Sequence, residues 1–323
     1  MIQHNRIRRK SLLAVKKNPI VSNFIYYWLV DSYKVISKKS YSKYFKYILR
    51  SIKDWGINND WVKYINKTEQ HQRWKSHSGC DFFSKMQYPY LSLHFNKKQQ
   101  LNALKQHYDW VFLNFNEDSY YNEINLFSYS FIDNDNQSFL VEISCDFKSP
   151  FEYEGEISFF MKVNGEIQYT LTFLSIIENG ISSLFIGGLQ AGKPTVTDLE
   201  GLKHLTKIMY GLRPKQLILH SLSIFASYMN IHQIIAISNE NHIFSKKQRR
   251  WSKKKLKTSL NSFWEEFDVH KNDSGNYMFA PLSSNIDLEK IVSKKRSQYR
   301  KRQVILTELT QQIENNISKI IKS

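Results

Sequence analysis

ISSLFIGGLQAGKP from Ile181 to Pro194, PKQLILHSLSIFASYMN from Pro214 to Asn230 and IHQIIAIS from Ile231 to Ser238 decide the fold by their order. The first reads as a β-strand ending in glycines. The second opens on a proline suited to a first helical turn and carries Leu217, Leu219, Leu222, Ile224 and Phe225 around much of its circumference, so it packs against a sheet. The third is a short, nearly continuous apolar run of the kind covered on both faces. The order is strand, crossover, buried strand.

Working outward, FLVEISCDF, GEISFFMKV, EIQYTLTFLSII and ISSLFIGGL alternate and turn between Ser138 and Gln190, which predicts an antiparallel meander. Asn164-Gly165 and Asn179-Gly180 sit between strand-like runs and supply the positive backbone angles of tight hairpin turns. Thr197 and Glu200 form a T-x-x-E capping box, so a helix opens there and closes at Gly211. Upstream, apolar residues recur at helical spacing from Phe24 to Ile48, and Lys97 to Phe115 places Leu101, Leu104, Tyr108 and Val111 on one helical face. The expected fold class is α+β: a mainly helical region over 1–118, then a mostly antiparallel sheet domain with crossover helices over 119–323.

The 323 residues carry 46 Lys and Arg against 29 Asp and Glu, a formal charge of +17. Twenty of the cations fall in three runs, near the N-terminus, at Lys246 to Lys257 and at Lys294 to Arg302. Such clustering predicts an anionic partner: nucleic acid, membrane headgroups or a CoA-type cofactor. An aromatic share of 15% argues against disorder. Cys80 and Cys145 are the only cysteines, too few for a disulfide framework or a four-cysteine zinc site; Cys145, within VEISCDF, reads as a small buried hydrophobe. Lys16, Lys17, Asn18 and Pro19 interrupt the N-terminus before a signal-peptide core can form, and no window reaches the ~18 apolar residues of a spanning helix. The expected location is the cytoplasm, with peripheral contact at the inner membrane; Phe24 to Ile36 is the best amphipathic stretch for it.

Taken together, ISSLFIGGLQAGKP, GLRPKQLILHSL, IIAISNENH, SFWEEF and SKKRSQYRKR resemble the VirK/YbjX family of bacterial proteins. The likeness is strongest toward the C-terminus, weakens to PYLSLHF and LKQHYDWVF near Pro89 and Trp110, and is not seen in the first 70 residues. It implies a role in virulence, cell-envelope maintenance and antimicrobial-peptide tolerance, with an envelope protein or lipid as an acceptor, and it carries no catalytic residue across. The element order is similar to that of a GNAT-type N-acyltransferase, in which a meander leads through a helix to a parallel strand and the splayed strands grip an acyl-CoA or acyl-carrier thioester. Two departures stand. Gln190 is followed by Ala191-Gly192-Lys193-Pro194-Thr195, with its glycine one position early for the GNAT pyrophosphate loop, and two helices fill the crossover.

Gly187 to Lys193 spells G-x-x-x-x-G-K, but Pro194 stands where a Walker loop has its hydroxyl residue and the strand before it ends a meander. Two readings remain: an anion cradle of Gly187, Gly188, Gln190, Gly192 and Lys193 for a thioester's phosphates, or glycines that relieve crowding at a strand exit. Arg213 and Lys215 flank Pro214 at a helix start, where cations oppose the helix dipole, and so suggest an anionic ligand. Ser238 to His242 follow the buried strand at its carboxyl end; there His242 is the candidate base and Asn239 the residue that orients an acceptor. Glu142, Glu154 and Glu156 are alternative bases, each also readable as an exposed strand carboxylate. Lys294, Lys295, Arg296, Tyr299 and Arg300 head a long C-terminal helix and could hold an anion across one face. His220 and Trp264 read as core. The competing function is a non-enzymatic polyanion binder that uses the basic runs.

Overall fold

Both Asn-Gly pairs form the expected turns: Asn164 and Gly165 have φ of 50° and 82°, Asn179 and Gly180 of 50° and 81°, joining strands through two-residue hairpins. These belong to a computed structural model that describes residues 29–30, 32–36, 40–78, 80–192, 199–245 and 259–322. The chain divides into two units, Met1–Gln87 and Tyr88–Ser323. The second begins ahead of the helix at Lys97–Asn114, which packs on the sheet.

In the first unit, helices α1 (Ser32–Ile36), α2 (Tyr41–Lys53), α3 (Trp55–Tyr64), α4 (Glu69–Ser78) and α5 (Cys80–Ser84) enclose Tyr47, Trp61, Val62, Ile65, Phe83 and Met86. The Trp61 indole N–H is buried and donates to the Phe82 carbonyl at 2.9 Å, so its polar atom costs nothing on burial.

The second unit is α+β. Helix α6 (Lys97–Asn114) starts at a capping box in which Asn96 and Gln99 satisfy each other's backbone N–H groups, and its predicted face of Leu101, Leu104, Tyr108 and Val111 is buried. An eight-stranded open sheet follows: β1 (Ile124–Ile132), β2 (Ser138–Asp146), β3 (Ile157–Val163), β4 (Glu166–Glu178), β5 (Ile181–Ala191), β6 (Gln233–Ala236), β7 (His270–Lys271) and β8 (Tyr277–Phe279), in the order β1-β2-β3-β4-β5-β6-β8-β7. Every pairing is antiparallel except β5 with β6. Helices α7 (Leu199–Ile208) and α8 (Pro214–Tyr228) make the crossover, and α8 lays Phe225 against Phe159 and Phe173. Thr197 of the expected capping box lies outside the described residues. After β6, the short α9 (Asn261–Trp264) buries Trp264, whose indole N–H donates to Ile237.

Edges are closed by side chains. Beyond the end of β3, the Ser175 and Ile177 N–H groups of β4 donate to His107 and Gln106 of α6. The last helix, α10 (Arg296–Ser318), covers β1: Gln312 both accepts from and donates to the Ser128 backbone, and Asn316 donates to the Leu126 carbonyl. Cys145 is buried and free, its thiol pushed well above its ordinary range by burial. Among the described residues no helix is long and apolar enough to cross a membrane.

Candidate active site

Strands β5 and β6 pair only from Ser183 and Gln233 to Ile186 and Ala236, with one more bond from Ile237 N–H to the Ile186 carbonyl, and then part. At the same level β5 bulges against β4: Phe173 faces Ile186 and Thr172 faces Gly188, leaving Gly187 as the extra residue. Three segments close on this fork. Leu91 N–H donates to the Tyr153 carbonyl and Leu93 N–H to the Asn241 carbonyl, both at 2.8 Å, tying Tyr90–Leu93 to the β2–β3 connection and to the turn after β6.

The glycines permit this approach. A Cβ on Gly187 would lie 1.9 Å from the Glu154 carbonyl oxygen, and one on Gly188 would lie 1.8 Å from its carboxylate. Gly192 is equally close to the Ile167 carbonyl. Crowding relief is therefore what these three glycines visibly do; Lys193 lies outside the described residues.

Glu154 is fully buried, against the expectation of an exposed strand carboxylate, because it lies on the connection that plugs the fork rather than on a strand. Its Oε1 accepts from the Gln190 side chain at 2.9 Å and faces His242 Nε2 at 3.6 Å. The Phe244 N–H donates to His242 Nδ1 at 3.1 Å, so the proton of the neutral ring sits on Nε2, toward the carboxylate. Burial lowers the His242 pKa to about 4, which keeps the ring neutral and makes it a poor free base. A cavity of about 40 Å³, lined by Pro150 to Glu154 and Phe244, has room for water.

Two residues on, Glu156 is buried too and accepts from the Tyr90 hydroxyl at 2.6 Å and from the Tyr108 hydroxyl. Burial first, then the Glu156 charge, drives the Tyr90 phenol well above its ordinary pKa. Tyr108 reads as a packing residue in sequence; nothing local marks either tyrosine as a donor to Glu156.

The structure thus brings Gly187, Gly188, Gln190 and His242 together around Glu154. It does not bring Glu142, which lies on β2, four strands from β6, beside Asn125. Asn239 is a clamp: its side chain accepts from Leu260 N–H and donates to Ser259, holding the start of α9. Arg213 forms a two-pronged ion pair with Glu266, which supplies the anion that its place at a helix start called for. Lys215 lies over the Tyr169 and Phe263 rings, its pKa lowered by burial and then by Arg213. Lys294, Lys295, Arg296 and Arg300 are exposed at the head of α10, whereas the Tyr299 ring stacks under Arg302. Arg302 in turn donates to the Tyr210 carbonyl at the end of α7 and helps to hold the His220 pKa down to about 4, after burial. The run Lys246 to Lys257 lies outside the described residues.

A larger cavity of about 440 Å³ lies where α7 crosses the β2, β3 and β4 ends, lined by Phe139, Val163, Gln168, Glu200, His204 and Leu205 among others. Gly192 N–H donates to the Gln168 carbonyl, so the cavity adjoins the end of the glycine strand.

Compared with known proteins, residues 37–315 match the family described as "Protein of unknown function (DUF535)". The chain is 29% identical over 228 residues to "Uncharacterized protein YbjX" of Escherichia coli (strain K12), covering 70% of this chain and 68% of that one. A protein of Haemophilus influenzae, described as "Uncharacterized protein", is 27% identical over 179 residues, 55% of this chain and 58% of its own. No solved structure matches. The VirK/YbjX resemblance drawn from the sequence is borne out, and the family match extends it toward the N-terminus, to residue 37.

Proposed function

The chain belongs to the DUF535 family of YbjX-type bacterial proteins, and we propose that it is a GNAT-like acyltransferase that takes an acyl group from an acyl-CoA or acyl-carrier thioester. One observation carries the reading: the only parallel pair among the described strands parts at a glycine bulge, with a buried carboxylate and imidazole behind the fork. The donor's arm runs past Gln190 and Gly192, and its chain fits the 440 Å³ cavity, which is of ligand size. The acceptor is an amine or hydroxyl of an envelope component, the cellular setting that the family resemblance implies. As the acceptor attacks the thioester carbonyl, the C–N or C–O bond forms, the C–S bond breaks, and the acceptor's proton passes through water to Glu154 Oε1, then to the leaving thiolate. Gln190 and His242 position that carboxylate.

A second reading, a polyanion binder, is favoured by the exposed cations at the start of α10, where the helix dipole opposes them. Thermal unfolding with CoA, acyl-CoAs, heparin and duplex DNA, each at low and high salt, separates the two. A ligand at 100 times its dissociation constant adds about 2.7 kcal/mol of apparent stability. Stabilisation by acyl-CoA at both salts, weakened in Gln190→Ala, is the expected result; stabilisation by polyanions alone, and only at low salt, would overturn the enzyme reading.

A further inference from the structure

Helix α2 presents two stripes to solvent. Tyr41, Phe45, Leu49 and Ile52 recur at spacings of four, four and three and are 73%, 64%, 53% and 56% exposed. Lys43, Lys46, Arg50 and Lys53, also exposed, form a second stripe beside them, and the helix contains no acidic residue. Its remaining face is committed: Tyr47 and Ser51 are buried, and the Gln87 side chain donates to the Tyr47 carbonyl and the Ser51 hydroxyl. Among the described residues, the exposed apolar stripe is therefore fixed outward by the face that is already buried. Trp55, just past the helix, and Tyr33, which packs on Tyr44, extend the exposed patch.

We propose that α2 lies in the plane of an anionic phospholipid surface, with Tyr41, Phe45, Leu49 and Ile52 at the boundary of headgroups and acyl chains and the four cations on lipid phosphates. Charge selects this occupant. A second copy seated on the stripe would bring two cationic stripes together, and a nucleic acid would satisfy the cations but leave the large apolar side chains in water. An anionic bilayer surface accepts both stripes at once, as in-plane amphipathic helices with Lys and Arg beside aromatic and aliphatic residues require. The surface uses neither the basic head of α10 nor the residues around Glu154.

The test is co-sedimentation of the full chain with phosphatidylcholine vesicles and with vesicles that also contain phosphatidylglycerol. The expected result is binding to the second and not the first. Phe45→Ser with Leu49→Ser, and separately Lys43→Glu with Lys46→Glu, should each reduce partitioning about tenfold or more. All four residues are exposed, so thermal unfolding of both variants should match the wild type. No binding to anionic vesicles would overturn the proposal. So would wild-type binding by both variants, loss of binding only in Lys294→Glu with Arg300→Glu, or a wild-type dimer that disperses when Phe45 and Leu49 are replaced.

Discussion

Gly187→Ala tests whether the β2–β3 connection is seated in the fork as described. The added Cβ would lie 1.9 Å from the Glu154 carbonyl oxygen. A carbon and a carbonyl oxygen approach no closer than about 3.3 Å, so the connection must retreat by roughly 1.4 Å. Overpacking at a close-packed position costs about 1–3 kcal/mol. Retreat also breaks the hydrogen bond from Gln190 to Glu154, worth about 1 kcal/mol. The expected loss is about 2–4 kcal/mol, a fall in Tm of roughly 4–16 °C for a unit of this size. Thermal unfolding followed by circular dichroism on the full chain measures it. Gly56→Ala is the control: it lies in helix α3 with nothing within 4 Å of the added carbon, and should raise stability by up to about 1 kcal/mol. If Gly187→Ala stays within about 0.5 kcal/mol of the wild type, the close approach is not made and the plugged fork must be abandoned.

Two further outcomes follow from the buried polar groups. His242 titrates near 4 in the fold against an ordinary 6.5, so between those values the unfolded chain holds a proton that the folded chain refuses; the stability present above pH 6.5 falls as pH drops to about 4, at about 1.4 kcal/mol per unit. Urea unfolding at pH 7 and pH 5 should show this slope reduced in His242→Gln; equal slopes would sink the assignment. Tyr90→Phe and Tyr108→Phe each remove a donor to Glu156 and should cost about 1.5–3 kcal/mol, while the double variant should cost more than their sum. Simple additivity in chemical denaturation would mean that the two hydroxyls do not share that carboxylate.

What was legible in the sequence is what local chemistry decides. Asn-Gly needs positive φ, so the two hairpin turns followed; a continuous apolar run between polar ends became β6, and the crossover followed from its order. His242 was found because it follows that strand directly. Glu154 and Glu156 were misread as exposed because EYEGE is polar in every local respect, and their burial is imposed by glycines more than thirty positions later and by tyrosines more than forty positions earlier. The counter-charge of Arg213 was not legible for a related reason: Glu266 arrives from beyond the buried strand. Of Phe24–Ile36, the stretch expected to make membrane contact, residues 24–28 and 31 lie outside the described residues; on the next helix, α2, three faces of one element are told apart only by burial.

The cover over β1 has a consequence for synthesis. Gln312 and Asn316 reach Ser128 and Leu126 across 184 and 190 residues of chain, so β1, the first of the described strands, waits for α10 to satisfy these outer backbone groups. Until α10 is translated, a growing chain carries an open strand edge, which templates pairing with other chains. Premature stops before Gln312 should therefore yield polypeptides that associate through that edge and are cleared or precipitate, rather than shortened but working protein.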